Sequence, residues 1–64
     1  MPTIVLHMLE GRTTDQKREL VKQLTEAMVK CLGVRPETVM IYIDEVSKEN
    51  FGKNGKYRLD GVIP

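Results

Sequence analysis

The stretch TTDQKRELVKQLTEAMVKCLG, residues 13–33, decides the fold. Thr13-Thr14-Asp15-Gln16 reads as a capping box: the Thr13 hydroxyl accepts from an amide of the first turn while the Gln16 side chain reaches back to the cap. Leu20, Val21, Leu24, Ala27, Met28, Cys31 and Leu32 then recur at helical spacing and make one continuous apolar face. Lys17, Arg18, Lys22, Gln23, Glu26 and Lys30 cover the opposite face. Gly33 supplies a left-handed C-terminal cap, and Pro36 keeps the helix from resuming. The spacing predicts a helix from Thr14 to Leu32, about 28 Å long.

Apolar runs flank that helix on both sides. Thr3 to Met8 alternates, with Ile4, Leu6 and Met8 on one face and Thr3, Val5 and His7 on the other, as a strand with unequal faces does. Val39-Met40-Ile41-Tyr42-Ile43 is almost wholly apolar and suits a strand packed on both faces, with Asp44-Glu45 ending it. Strand, long helix and strand make a right-handed crossover with parallel strands. Asn54-Gly55, flanked by Phe51 and Tyr57, is a type I′ turn signal for a short hairpin. The expected fold is therefore α+β: a single βαβ unit, half of a ferredoxin-like arrangement, with a C-terminal hairpin. With no repeat, linker or low-complexity tract, residues 1–64 are expected to form one domain.

Sixty-four residues lie near the lower limit for a self-sufficient core. Apolar burial at about 25 cal/mol per Å² against roughly 1.5 kcal/mol of lost entropy per residue leaves a net near zero. One Phe, two Tyr and no Trp offer little bulk, and one Cys and one His make neither a disulfide nor a tetrahedral metal site within the chain. Association remains, so a homo-oligomer is expected. Two strands alone do not make a stable sheet, whereas a second copy adding its pair gives four strands with helices on one face. A net charge of +1 with interleaved acids and bases carries no footprint for nucleic acid. No apolar run reaches the roughly 20 residues of a membrane span, and Thr3 to Met8 is too short for a signal peptide and has no basic flank. The expected location is the cytoplasm, with the lone Cys31 a small buried helix residue rather than a nucleophile.

No Ser or Cys stands beside a His, and there is no glycine-rich phosphate loop and no cluster of metal ligands. His7 reads as a strand residue and Asp44-Glu45 as a solvated strand end. Pro2 is the unusual feature. Methionine aminopeptidases generally remove Met1 before proline, leaving a secondary amine at the start of the first strand. An α-amino group ordinarily titrates near about 8, and an apolar pocket or a nearby cation lowers that value. A neutral amine at pH 7 then acts as a general base.

Met1-Pro2 leading into a strand, the run Leu9-Glu10-Gly11-Arg12-Thr13 followed by Asp15-Gln16-Lys17, a helix of matching length and Asn50-Phe51-Gly52 together resemble the 4-oxalocrotonate tautomerase family. The likeness runs without a gap from Pro2 to about Gly55. It implies four-stranded dimers that assemble into hexamers, a small-molecule dienol or 2-oxo acid substrate, and no metal or organic cofactor. By the same resemblance Pro2 is the general base, ketonising a dienol or 2-hydroxydienoate of the 2-hydroxymuconate or phenylenolpyruvate type. Arg12 matches the arginine that binds a substrate carboxylate, a task for which a planar, permanently charged fork is suited. Leu9 matches a position whose backbone amide positions substrate, and Phe51 matches an aromatic wall that doubles as hairpin packing.

Met40 departs from the family, which commonly has a second catalytic arginine there. Three arrangements answer it: Arg35 or Arg58 reaches the site, another subunit type supplies the cation, or the substrate lacks the second anionic group. Taken alone, Arg12 and Arg35 read as exposed loop residues. Two alternatives stay open beside the tautomerase reading. One is a 3-haloacrylate dehalogenase-type hydratase using Glu45 or Asp44 to activate water, and the other is a non-catalytic subunit of a hetero-hexamer.

Overall fold

The computed structural model describes residues 1–61. Strand β1 (Thr3–Leu9) leads through a short loop to helix α1 (Thr14–Leu32), and a 3-10 turn at Pro36–Thr38 feeds strand β2 (Met40–Val46). A second turn, Lys48–Asn50, opens the hairpin of β3 (Gly52–Lys53) and β4 (Lys56–Tyr57), which a third turn at Arg58–Asp60 follows. β1 and β2 pair in parallel from Thr3↔Met40 to Leu9↔Val46, with α1 as the crossover. The hairpin forms its own antiparallel pair. Its turn residues Asn54 and Gly55 have φ of 55° and 75°, the positive pair that a type I′ turn requires. This is the α+β, βαβ-plus-hairpin fold expected from the sequence.

The helix begins and ends where its chemistry dictates. The Gln16 amide donates to Thr13 Oγ1 at 3.1 Å and the Thr13 amide donates to Gln16 Oε1 at 3.0 Å, so both halves of the capping box form. At the other end Gly33 adopts φ 69° and donates to the Val29 carbonyl at 3.0 Å, a conformation that would strain any residue bearing a Cβ. Lys17 joins Glu45 of β2 at 2.5 Å, which ties α1 to the face of the sheet that carries Met8. Ile4, Leu6, Met8, Ile41 and Ile43 are half-buried on that side, whereas Thr3, Val5, His7, Tyr42 and Asp44 of the other side are exposed.

Four expectations need correction. β2 does not stop at Ile43 but runs from Met40 to Val46, because its last residues stay paired with β1, where Asp44 meets His7, and Glu45 also reaches Lys17. Nor is β2 covered on both faces within one chain, since Tyr42 is 52% exposed beside Val5 at 56%. Cys31 is exposed, and so is Leu32 at 58%. Finally, Lys17 and Val29 are half-buried while Val21 and Ala27 are exposed, so the helix face turned inward differs from the one the apolar spacing outlined. Two strands about 4.8 Å apart are too narrow a platform for the whole apolar arc of a helix.

No side chain among the described residues is fully buried. The radius of gyration is 15.1 Å, against about 11 Å for a compact chain of this length. An isolated copy therefore covers its apolar side chains only in part, which favours association.

Candidate active site

The two ends of the β1–β2 pair hold different side chains. At the amino-terminal end Pro2 is half-buried and its carbonyl accepts the Met40 amide at 3.0 Å, which fixes the start of the ladder. Met1 before it is 85% exposed, so its removal sacrifices almost no packing. Met40 is half-buried and stands opposite Thr3. Arg35 lies in the loop leading to β2, its carbonyl held by the Thr38 amide at 3.0 Å and the Thr38 hydroxyl at 2.7 Å. Its guanidinium is exposed and faces Glu37 at 3.4 Å.

At the carboxyl end, His7, Met8, Leu9, Val46 and Phe51 line a cavity of about 220 Å³. The ladder decides what Leu9 offers to it. The Pro2 carbonyl and the Glu10 amide, the latter donating to Val46 at 3.0 Å, both engage β2. In an evenly spaced parallel ladder the even-numbered residues of β1 therefore face β2, and the odd-numbered ones turn their polar groups to the outer edge. Leu9 is odd, and no further strand among the described residues pairs with that edge. Its amide is thus directed away from β2. Gly11, with φ 120°, turns the chain sharply, in a region where L side chains are strained. Arg12 follows, exposed, immediately before the Thr13 cap.

The Phe51 side of the cavity is tied to this loop. The Lys48 amide donates to the Glu10 carboxylate at 3.4 Å, the Tyr57 hydroxyl donates to the Glu49 carbonyl at 2.6 Å, and the Arg58 amide donates to the Phe51 carbonyl at 2.9 Å. The structure thus gathers Leu9 and Phe51 around one cavity with Arg12 just beyond, and it brings Pro2 and Met40 together with Arg35 on the approach. It does not join the two sets within one chain, because seven steps of about 3.3 Å separate Pro2 from Leu9 by about 23 Å.

Both candidate water-activating carboxylates are engaged elsewhere. Asp44 sits 2.8 Å from His7 Nδ1 on the open sheet face, and Glu45 is held by Lys17 on the helix side. Sequence reasoning missed these pairs, although the parallel register that aligns His7 with Asp44 follows once both strands start near Thr3 and Met40. Among the described residues no group of three or more His, Cys, Asp or Glu side chains is arranged to hold a metal ion, and no helix is long and apolar enough to cross a membrane.

The family model described as tautomerase enzyme matches residues 2–60. The chain belongs to the tautomerase family. Among its tautomerase relatives, a 2-hydroxymuconate tautomerase of Bacillus subtilis (strain 168) is 41% identical over 56 residues, covering 88% of this chain and 90% of the relative. The solved 4-oxalocrotonate tautomerase isozymes of Methylibium petroleiphilum include a chain that is 44% identical, with a TM-score of 0.86 and 92% of each chain covered. A heterohexamer 4-oxalocrotonate tautomerase from Chloroflexus aurantiacus J-10-fl is 31% identical, with a TM-score of 0.88, covering 97% of this chain and 100% of that one. Tautomerases of this size and fold are thus known in both curated and solved form, and one of them is built from unlike subunits.

Proposed function

We propose that the chain is a cytoplasmic keto–enol tautomerase subunit whose Pro2 amine, freed by removal of Met1, is the general base for a dienol or 2-hydroxydienoate. Pro2 takes the proton of the 2-hydroxyl and delivers it to a carbon further along the conjugated chain, so one base serves both transfers and no metal or organic cofactor is required. Arg12 binds a carboxylate of the substrate and draws electron density towards it. The outward Leu9 amide positions the substrate, and Phe51 keeps the pocket apolar, which strengthens the pull of Arg12 and favours a neutral amine.

The observation that carries this reading is the distribution of parts along β1. Arg12 and the Leu9–Phe51 cavity lie at one end and Pro2 at the other, so a site containing all of them draws the two sets from different copies. A chain without a buried core has to associate in any case. The reading is therefore a hexamer, a trimer of dimers built from four-stranded sheets. Ketonisation of 2-hydroxymuconate and of phenylenolpyruvate by the wild type, Pro2→Ala and Arg12→Ala tests it, with intact mass to establish that Met1 is gone. A loss of less than about tenfold in Pro2→Ala, about 1.4 kcal/mol of barrier, would contradict the base assignment.

A second reading has one observation in its favour. The Chloroflexus relative is a heterohexamer, and here the Pro2 end has uncharged Met40 and an Arg35 already facing Glu37. In that reading this chain is one of two subunit types, and its partner completes the site. Co-purification of a second short tautomerase chain, with this one inactive alone, would decide for it.

A further inference from the structure

The hairpin tip carries chemistry that the candidate active site does not use. Asn54 and Gly55 form a two-residue loop between the paired Lys53 and Lys56, and every residue from Gly52 to Tyr57 is exposed. The side-chain carbonyl carbon of Asn54 and the backbone nitrogen of Gly55 are the two ends of a five-membered ring. Glycine, with no Cβ, leaves that nitrogen unshielded. A Cβ built at Gly55 meets nothing within 4 Å, so open space surrounds this side of the loop.

The backbone at Asn54 favours closure of that ring. Its φ is 55°, a value that L residues seldom adopt, and Gly55 follows at 75°. Type I′ and type II′ turns share a φ near about +60° at the first central residue and differ there in ψ, about +30° against about −120°. A planar ring at Asn54 eclipses the Gly55 nitrogen with Cβ, which for an L residue is the ψ of the type II′ turn. Both turns close a two-residue hairpin loop, and Gly55 accepts either sign of φ. A flip of one peptide plane therefore brings the nitrogen to the carboxamide without opening the hairpin.

We propose that Asn54 is a site of self-modification, at which attack by the Gly55 nitrogen converts the asparagine to isoaspartate and aspartate. The Gly55 nitrogen gives its proton to solvent and bonds to Cγ, and the Cγ–Nδ2 bond breaks to release ammonia. Water then adds to one of the two ring carbonyls and breaks its bond to the nitrogen. Opening at Cγ leaves aspartate, and opening at the main-chain carbonyl leaves isoaspartate. One water is consumed, one ammonia is released and nothing is oxidised. The product places a carboxylate between Lys53 and Lys56, and its isoaspartyl form adds a methylene to the main chain of the turn. The next pair outward is Phe51 with Arg58, joined by the 2.9 Å bond between the Arg58 amide and the Phe51 carbonyl, so a distorted tip disturbs a wall of the Leu9 cavity.

Prolonged incubation of the full chain in mildly alkaline buffer, then cleavage after Glu49 and mass spectrometry, tests this. Asn54 is expected to gain the mass of an amide-to-acid exchange and to split into two chromatographic forms, one of them a substrate for an isoaspartyl methyltransferase. Asn50, the chain's other asparagine, is followed by Phe51 and serves as the control within the same peptide. Gly55→Ala is expected to slow conversion by at least about tenfold, because a Cβ shields the nitrogen and strains the left-handed turn. Asn54→Gln keeps Gly55 but requires a six-membered ring, so it is expected to stay unmodified and settles the matter if Gly55→Ala loosens the hairpin. An Asn54 that keeps its mass in the folded protein while the unfolded chain converts would overturn the proposal. Conversion at Asn50 as fast as at Asn54 would do the same.

Discussion

The Pro2 end and the Leu9 end of the same strand pair are opposites in what they lack. The first has a strand-starting proline beside uncharged Met40, with its nearest loop cation, Arg35, engaged by Glu37. The second has an apolar cavity with Arg12 beyond it, but the proposed base, Pro2, lies at the far end of the strand. A proton-transfer site needs a base and a charge-stabilising group within a few ångströms of one substrate. A strand is too stiff to fold its own ends together, so under the proposed assignment Pro2 and Arg12 meet only when copies associate. Association would then answer both the missing core and the proposed division of the site.

Disrupting association should cost the most, because both ends then fail together. Tyr42→Asp places a charge on the open sheet face next to Val5, where an associated copy would have to desolvate it. Size-exclusion chromatography should show smaller species, with ketonisation near background; an intact, active oligomer would mean that this face stays open to water. The next effects separate the ends. Pro2→Ala should lower kcat by about 100-fold or more with KM little changed, as loss of a general base does. Arg12→Ala should act mainly through KM, lowering kcat/KM by about 10- to 100-fold, since a charge-assisted carboxylate contact is lost. The reverse partition in steady-state kinetics would exchange their roles.

Much of this layout was legible in the sequence, and the misses have a common cause. Thr13, Gln16 and Gly33 set the helix boundaries through interactions with their own neighbours, and Asn54-Gly55 set its turn in the same local way. Asp44 and Glu45 looked like a strand end because their partners, His7 and Lys17, are 37 and 28 residues away. Cys31 looked buried because periodicity reports an apolar stripe and not the width of the sheet beneath it. Pro2, Leu9, Arg12 and Phe51 were legible as candidates, but their separation emerged only from strand length and register. The position of Arg58 could have been counted outward from Asn54-Gly55, whereas the burial of its Nε could not.

The smallest effect sharpens the Arg12 end alone. Thr13→Ala removes the acceptor for the Gln16 amide and should destabilise the protein by about 1 kcal/mol. Denaturant unfolding would measure that loss, and kinetics should show a raised KM with kcat nearly unchanged, because the cap sets the backbone that carries Arg12.

Mixing the two impaired proteins, with substrate well below KM so that both are weak, tests the divided site most directly. Pro2→Ala and Arg12→Ala are unfolded together, refolded as one population and assayed for ketonisation of phenylenolpyruvate. If Pro2 and Arg12 of one site come from different copies, some sites in the mixed oligomers pair an intact Pro2 with an intact Arg12, and activity rises well above the sum of the two proteins refolded separately. Activity no greater than that sum, in oligomers shown by native mass spectrometry to contain both chains, would contradict it.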